Sequence, residues 1–468
     1  MQVQGGSAGC RTGSVLTRRA FFALAPALAQ AAAPPNIVLL LSDDQGWGDT
    51  GYNGHPVLKT PHLDAMAAAG LRFDRFYAAA PVCSPTRGSC LTGRHPFRYG
   101  ITWALGHGVS RDESLRESEV TIAEVAQAAG YTTGHFGKWH LGVDKRNGEL
   151  IPTPGRHGFD RWFSTEKKVP TYNPDTVEGD GPYYEDGRRA TADLAGDDSR
   201  VLMDRAIPFI EAAAAAKRPF LAVIWFHSPH EPVLAGPEHR RMYAAEPEKA
   251  QHYYGAITAM DEQIGRLRRT LRELGVAGNT LVWFSSDNGP EGDAIGPRSP
   301  GSAGPFRGRK RSLFEGGIRV PAILEWPSRV TRPAVTNMVC STSDVFPTLV
   351  EAMGRRAQPA GPLDGISLLP LLDGKMRQRP SSLAFETQGD RRQTRGSPRL
   401  ALIENRYKLL TDGTAEGEML YDVLADPRER INLAGSRPAV ADVMRRQLLR
   451  WSEQCARDYG ASGNVAKP

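Results

Sequence analysis

Four stretches of the chain are short apolar runs that change abruptly to small polar or charged residues at their carboxyl ends. Asn36 to Leu41 gives way to Ser42-Asp43-Asp44, and Tyr131 to Phe136 to Gly137-Lys138-Trp139-His140. Phe220 to Phe226 gives way to His227-Ser228-Pro229-His230, and Thr280 to Phe284 to Ser285-Ser286-Asp287-Asn288-Gly289. Such runs predict buried strands. Between them, Thr121 to Ala129 and Tyr253 to Leu274 carry apolar residues at helical spacing, with Gly130 and Gly275 just past their ends, which predicts helices. Strands alternating with helices predict an α/β fold whose large, mixed, mainly parallel sheet is covered by helices on both faces. From about residue 375 the pattern changes. Leu383 to Thr387, Leu400 to Glu404, Tyr407 to Thr411 and Met419 to Tyr421 read as short strands, and Pro438 to Arg457 as a long helix. These predict a smaller C-terminal antiparallel α+β subdomain over 375–468, following a main domain over 34–374. Residues 164–200 and 287–311 are rich in Gly, Pro and charge and read as long loops, which in a compact fold shape binding sites.

Composition narrows the class. Of 468 residues, 40% are hydrophobic and 24% charged, which excludes a disordered or fibrous chain. Formal net charge is +6, but Arg11, Arg18 and Arg19 fall in residues 1–33, where there is no acid; subtracting those three charges leaves +3. The basic balance therefore does not call for nucleic acid. Residues 1–33 read as a targeting segment: paired arginines before Phe21, a short alanine-rich apolar run, and small-residue sites at Ala29-Gln30-Ala31 and Ala32-Ala33-Pro34. The arginine pair is similar to a twin-arginine signal, the alternative being an unstructured extension. The run is too short to span a bilayer, and nothing later reaches the roughly 20 apolar residues needed. The expectation is an exported bacterial protein, periplasmic or extracellular, that meets the twin-arginine machinery and has no stable membrane insertion. Beyond Cys10, four cysteines are scattered without a C-x-x-C pair, which argues against a disulfide scaffold or a cysteine zinc site.

Ligands of open α/β sheets bind beyond the carboxyl ends of the strands, so the four strand ends should converge on one cleft. Asp43, Asp44, Asp287 and Asn288 then supply three carboxylates and an amide oxygen. Hard oxygen donors suit Ca2+ or Mg2+, and a divalent cation relieves the repulsion among the acids; either pair alone could equally cap a helix or turn. Lys138 and His140 at one strand end, and Arg309 and Lys310 in a loop, place cations opposite this oxygen cluster, implying an anionic substrate. His230 can move a proton near neutral pH, whereas His227 reads as a residue holding the Pro-rich turn. Cys83, four residues before Arg87, is either a thiolate nucleophile of lowered pKa or a buried structural cysteine.

The segment Cys83-Ser84-Pro85-Thr86-Arg87, followed by Leu91-Thr92-Gly93-Arg94, resembles the signature of the type I sulfatases, C-x-P-x-R. The resemblance extends to N-I-V-L-L-L-S-D-D at 36–44, G-K-W-H-L-G at 137–142, S-D-N-G at 286–289 and E-G-G-I-R-V-P at 315–321, nearly the whole chain after the leader. Thr86 stands where the family more commonly has serine. The resemblance implies an alkaline phosphatase-like fold and an exported sulfuric ester hydrolase. It further implies that a formylglycine-generating maturation enzyme oxidises Cys83 to formylglycine; since twin-arginine export carries folded protein and maturation needs an accessible segment, conversion is expected to precede export. The hydrate of that aldehyde would attack sulfur and later release sulfate as the aldehyde re-forms. Asp43, Asp44, Asp287, Asn288 and the modified Cys83 would surround one Ca2+, with Mg2+ possible. Arg87 would orient the nucleophile, Lys138, Lys310 and His230 would neutralise sulfate and assist the leaving alkoxide, and His140 would take the proton. Two other readings stay open: a phosphodiesterase or phosphonate hydrolase of the same superfamily, and a non-catalytic sulfated-glycan-binding protein with Cys83 unmodified. Tyr172, Tyr183, Tyr184 and Arg298 would line the mouth, which favours a sulfated glycan over a simple aryl sulfate.

Overall fold

The structure, a computed structural model, describes residues 33–462 apart from 113, 147–148, 176–180, 294–295, 298, 357, 389–397 and 415. The targeting segment, Ala33 aside, and Arg298 therefore lie outside the described residues. A ten-stranded sheet forms the centre. In chain order its strands are β1 (Asn36–Ser42), β2 (Leu71–Phe73), β3 (Thr132–Lys138), β4 (Arg161–Thr165), β5 (Tyr184–Glu185), β6 (Arg188–Arg189), β7 (Phe220–Trp225), β8 (Thr280–Ser286), β9 (Ala322–Glu325) and β10 (Ala334–Thr336). Their spatial order is β10-β2-β9-β8-β1-β7-β3-β4-β5-β6. The run from β8 through β1, β7 and β3 to β4 is parallel, while β9 and β5 pair antiparallel with its two edges. The mixed, mainly parallel sheet is as expected.

Alternation along the central strands assigns the two layers, because successive side chains leave a strand on opposite faces. Ile37, Leu39, Leu41, Leu221, Val223, Leu281 and Trp283 pack with α2 (Cys83–Thr92), α3 (Ile122–Ala128) and α6 (Val345–Ala352). Val38, Leu40, Ala222, Ile224, Val282 and Phe284 pack with α1 (Pro61–Ala69), α4 (Asp198–Ala215) and α5 (Glu248–Glu273). The predicted helix at 253–274 begins five residues earlier, at Glu248. Its polar first turn, Glu248-Lys249-Ala250-Gln251-His252, hides the apolar period there. The loop read over 164–200 holds the end of β4, the hairpin of β5 and β6, and the start of α4. Among the described residues of the loop at 287–311, the regular pairing is a short hairpin of Gly292–Asp293 with Gly296–Pro297.

The C-terminal meander comprises β11 (Leu383–Glu386), β12 (Leu400–Ile403), β13 (Tyr407–Thr411) and β14 (Met419–Asp422), all antiparallel. One face, with Leu402, Leu409 and Leu420, receives Ala441, Met444 and Leu448 of α7 (Pro438–Ser462). The other, with Leu383, Phe385 and Ile403, packs on Tyr77, Leu313 and Ile318. Among the described residues no helix is long and apolar enough to cross a membrane.

Candidate active site

The carboxyl ends of β1, β3, β7 and β8 meet as expected. Asp43 N–H donates to Ser228 O at 3.0 Å and Asp287 N–H to Ser42 O at 3.1 Å, which ties the turn after β1 to those after β7 and β8. Two motif glycines are steric requirements of this join. A Cβ on Gly137, whose φ is +106°, would lie 1.9 Å from Trp225 O, and one on Gly289 would lie 2.0 Å from Gly316 O, so only glycine fits either position.

Cys83 is the first residue of α2, a helix buried along its whole length. Val82 before it is extended, and the Thr86 hydroxyl ties down that entry, donating toward Ala80 O (3.0 Å) and Val82 O (3.1 Å) and accepting Ala80 N–H (3.2 Å). A serine hydroxyl could make the same bonds, which makes Thr86 a mild departure from the common pattern. Arg87, one turn on, shares a helix face with Cys83.

The charged side chains interlock. Cys83 Sγ is 3.5 Å from Asp43 Oδ1, while Asp43 Oδ2 accepts Lys138 Nζ at 2.6 Å and lies 3.6 Å from Arg87 Nη2. Arg87 donates through Nε (3.1 Å) and Nη2 (2.7 Å) to Asp287 Oδ2, and through Nη1 to Lys138 O (3.0 Å). Lys310 Nζ is 2.7 Å from both oxygens of Asp44, and His230 Nε2 is 3.7 Å from Asp44 Oδ2. Asn288 Nδ2 donates to Asp44 Oδ1 at 2.7 Å, leaving its own Oδ1 buried without a hydrogen-bond partner. Ligand atoms of Asp43, Asp44, Cys83 and His230 all lie within 4.8 Å of one another. Hard oxygens, a neighbouring imidazole and the unpartnered Asn288 Oδ1 fit a divalent cation.

The site includes strained backbone. Asp44 (φ 64°), His140 (φ 54°) and Arg311 (φ 74°) are non-glycine residues in the left-handed region, each at a cost of about 1–3 kcal/mol. Burial alone would push the Asp43 carboxyl up, but Lys138, His230, Arg87 and Lys310 hold it well below the usual range. Burial pushes the Cys83 thiol up, and Lys138 and Lys310 do not reverse this. The thiolate of lowered pKa entertained from sequence is thus not what the site favours. Burial, with Lys138 and Arg87 nearby, also pushes His140 well down. Its Nε2 faces Leu105 O at 3.3 Å, which only accepts, so Nε2 carries the hydrogen and the buried Nδ1 has a free lone pair.

Other expectations are corrected. Arg309 does not face the acids; it donates to Glu291 O, Gly301 O and Ser299 O, pinning its loop. Tyr183 is buried, stacked on Phe163 and bonded to Asp198, and Tyr184 packs on Trp162, so neither lines a mouth. Tyr172 bridges to Asp197. His227 has the holding role read for it, spanning Asp198 (2.9 Å) and Thr165 (2.7 Å). Sequence reasoning missed Glu291 and Arg311, which form a bidentate pair beside Lys310; adjacency to S-D-N-G and to Lys310 was the available signal. A cavity of about 860 Å3 shares Lys310 and Arg311 with this region and is walled by Trp47, His55, Tyr254 and Phe306.

Comparison with known proteins agrees with this arrangement. Residues 35–355 match the family model described as Sulfatase, and 304–454 match that of the N-sulphoglucosamine sulphohydrolase C-terminal region. Similarity to N-acetylgalactosamine-6-sulfatase of Sus scrofa is 35% identity over 369 residues, 75% of this chain and 68% of that protein. Arylsulfatase A of Homo sapiens is 34% identical over 487 residues, 95% of this chain and 93% of its own. A crystal structure of Ps i-CgsB in complex with k-i-k-neocarrahexaose superposes with a TM-score of 0.80 at 25% identity, covering 90% of this chain and 93% of that one.

Proposed function

The chain belongs to the sulfatase family, of alkaline phosphatase-like fold, and is a sulfate ester hydrolase; we propose that it desulfates a glycan, with formylglycine at position 83 as nucleophile and one Ca2+ at the strand ends. The observation that carries this reading is the buried contact of Cys83 with Asp43, ringed by Asp44, Arg87, Lys138, Lys310 and His230. An inert thiol at that point calls for conversion to a better nucleophile. Asp43, Asp44, Asp287 and Asn288 would hold the cation, Ca2+ or Mg2+. When present, the cation polarises sulfate oxygens, and the aldehyde hydrate supplies the attacking hydroxyl.

The chain's own residues do the rest. Arg87, fixed by Asp287 and Lys138 O, orients the side chain at 83 and offsets its charge. Lys138, on the Asp43 side, neutralises sulfate as it binds. Lys310 and His230, on the Asp44 side, stabilise the leaving oxygen as negative charge develops there. His140 Nδ1, neutral and unpartnered, accepts the proton whose loss lets sulfate depart. The aromatic-walled cavity suits a sugar ring, and the N-acetylgalactosamine-6-sulfatase likeness points the same way. Because twin-arginine export carries folded protein, conversion of Cys83 by the maturation enzyme precedes export to the periplasm or beyond.

The test is sulfate release from a panel of sulfated monosaccharides, with matched phosphate esters alongside. Sulfated sugars should turn over, chelation should lower the rate at least about 100-fold, and Ca2+ should restore it. Faster turnover of the phosphate esters would overturn the reading.

A further inference from the structure

Glu291 stands two residues past the Ser286-Asp287-Asn288-Gly289 turn and joins it to the turn carrying Lys310. Its carboxylate accepts Arg311 Nη1 at 2.7 Å and Nη2 at 3.1 Å, and its Oε2 lies 3.4 Å from Lys310 Nζ. Its backbone carbonyl accepts Arg309 Nε at 3.0 Å and the Ser299 hydroxyl at 3.3 Å. Lys310 N–H donates to the neighbouring Pro290 O at 3.1 Å. Both backbone and side chain therefore bind the two turns together. Arg311 is held in turn: its left-handed backbone is kept by an N–H bond to Pro81 O at 2.8 Å, two residues before Cys83. The three consecutive cations thus have different tasks. Arg309 spends its donors on carbonyls, Lys310 faces Asp44, and Arg311 fixes Glu291.

A lysine ammonium is a point charge on a flexible stem, with rotamer entropy to lose when it is held in one place. Asp44 holds that ammonium from one side, at 2.7 Å from both of its oxygens. A second anion at 3.4 Å on a rigid support places the ammonium between two acids. Glu291 and Arg311 are 11% and 19% exposed, so this support borders the open cavity that Arg311 lines.

We propose that Glu291, clamped by Arg311, is a positioning residue that holds Lys310 where the leaving oxygen of the sulfate ester departs. The inference rests on the sulfatase reading above. Its consequence is that Glu291 matters only through Lys310, and most for substrates with poor leaving groups.

A double-mutant cycle tests it. Wild type, Glu291→Gln, Lys310→Met and the double variant are assayed on a sugar sulfate and on 4-nitrophenyl sulfate. Aldehyde content at residue 83 and melting temperature are measured for each protein. Glu291→Gln should lower kcat about tenfold on the sugar sulfate with little change in KM. The loss should be under about threefold on the nitrophenyl ester, whose leaving group needs little help. In the Lys310→Met background the same substitution should cost nothing further. Glu291→Asp, which keeps the charge, should fall between wild type and Glu291→Gln. If Glu291→Gln folds poorly, Arg311→Gln reads the same clamp from its other side and should show the same leaving-group bias. Equal losses on both substrates, or a full loss repeated in the Lys310→Met background, would overturn the proposal. Wild type that carries the aldehyde yet releases no sulfate would overturn the underlying reading and this proposal with it.

Discussion

Three lysines are buried in the described structure, and they sit in two different kinds of charge cluster. Lys138 and Lys310 face the acids at the strand ends. Lys408 lies on the C-terminal sheet, 2.9 Å from Glu315 Oε1 and 2.9 Å from Glu429 Oε1, with Tyr77 (3.0 Å) and Arg319 (3.2 Å) on Glu315 Oε2 and the Glu315 N–H on Glu429 Oε2 (2.8 Å). By burial and residue type the clusters are alike. In the Lys408 cluster, however, every carboxylate oxygen lies within 3.2 Å of a cation or donor, even Glu429 Oε1, which Lys408 approaches at 2.9 Å without an aligned hydrogen bond, and the group joins the E-G-G-I-R-V-P segment to the meander. At the strand ends, Asn288 Oδ1 and His140 Nδ1 lack partners and His230 is 16% exposed, whereas backbone strain is common to both clusters, at Asp44 and His140 in one and at Glu429 in the other. Buried charge alone thus marks nothing; lone pairs that face neither cation nor donor, beside an opening, mark the working site.

The sharpest break between the clusters is expected from Cys83→Ala and Lys408→Ala. Cys83→Ala should lower kcat at least about 10^4-fold with an almost unchanged melting temperature. Lys408→Ala should cost about 3–5 kcal/mol in denaturant unfolding, because it leaves the buried Glu315 carboxylate and its neighbour Glu429 without their shared cation, while kcat per folded molecule stays near wild type. A collapse of kcat in folded Lys408→Ala would erase the distinction. A smaller effect is expected from Asn288→Ala, which should weaken Ca2+ binding about 10- to 100-fold by calorimetry and leave stability nearly unaltered. Smallest is a pH effect in the closed cluster. Burial and Glu315 push Glu429 up to about 7 against the pull of Lys408. In the folded state this carboxyl keeps its proton at a pH where the unfolded chain has released it, so its contribution is full below pH 4.5 and is lost as pH rises through about 7. Glu429→Gln should therefore gain stability relative to wild type between pH 5 and 7, on the order of 1 kcal/mol. A difference independent of pH would place the proton elsewhere.

The contrast also shows what local pattern can and cannot carry. The strand ends were legible because a buried parallel strand needs an unbroken apolar run, and its polar successors must emerge at one edge of the sheet. That placed Asp43, Lys138, His230 and Asp287 together. The meander was legible as short strand-like runs in quick succession before a long helix, which continues to Ser462. Cys83 as the start of a helix was not, since Cys-Ser-Pro-Thr-Arg-Gly has no apolar period and is fixed by packing. Arg309 and Lys310 look equivalent in sequence; only tertiary contacts send one to backbone carbonyls and the other to Asp44. Tyr183 and Tyr184 read as mouth residues because their loop is polar, yet a short hairpin carries them into the core.

The most direct test of the account is mass spectrometry of the tryptic peptide Phe76 to Arg87, taken from enzyme shown in the same preparation to release sulfate. The account predicts an aldehyde in place of the Cys83 thiol, in proportion to activity. An intact thiol in fully active enzyme would contradict it.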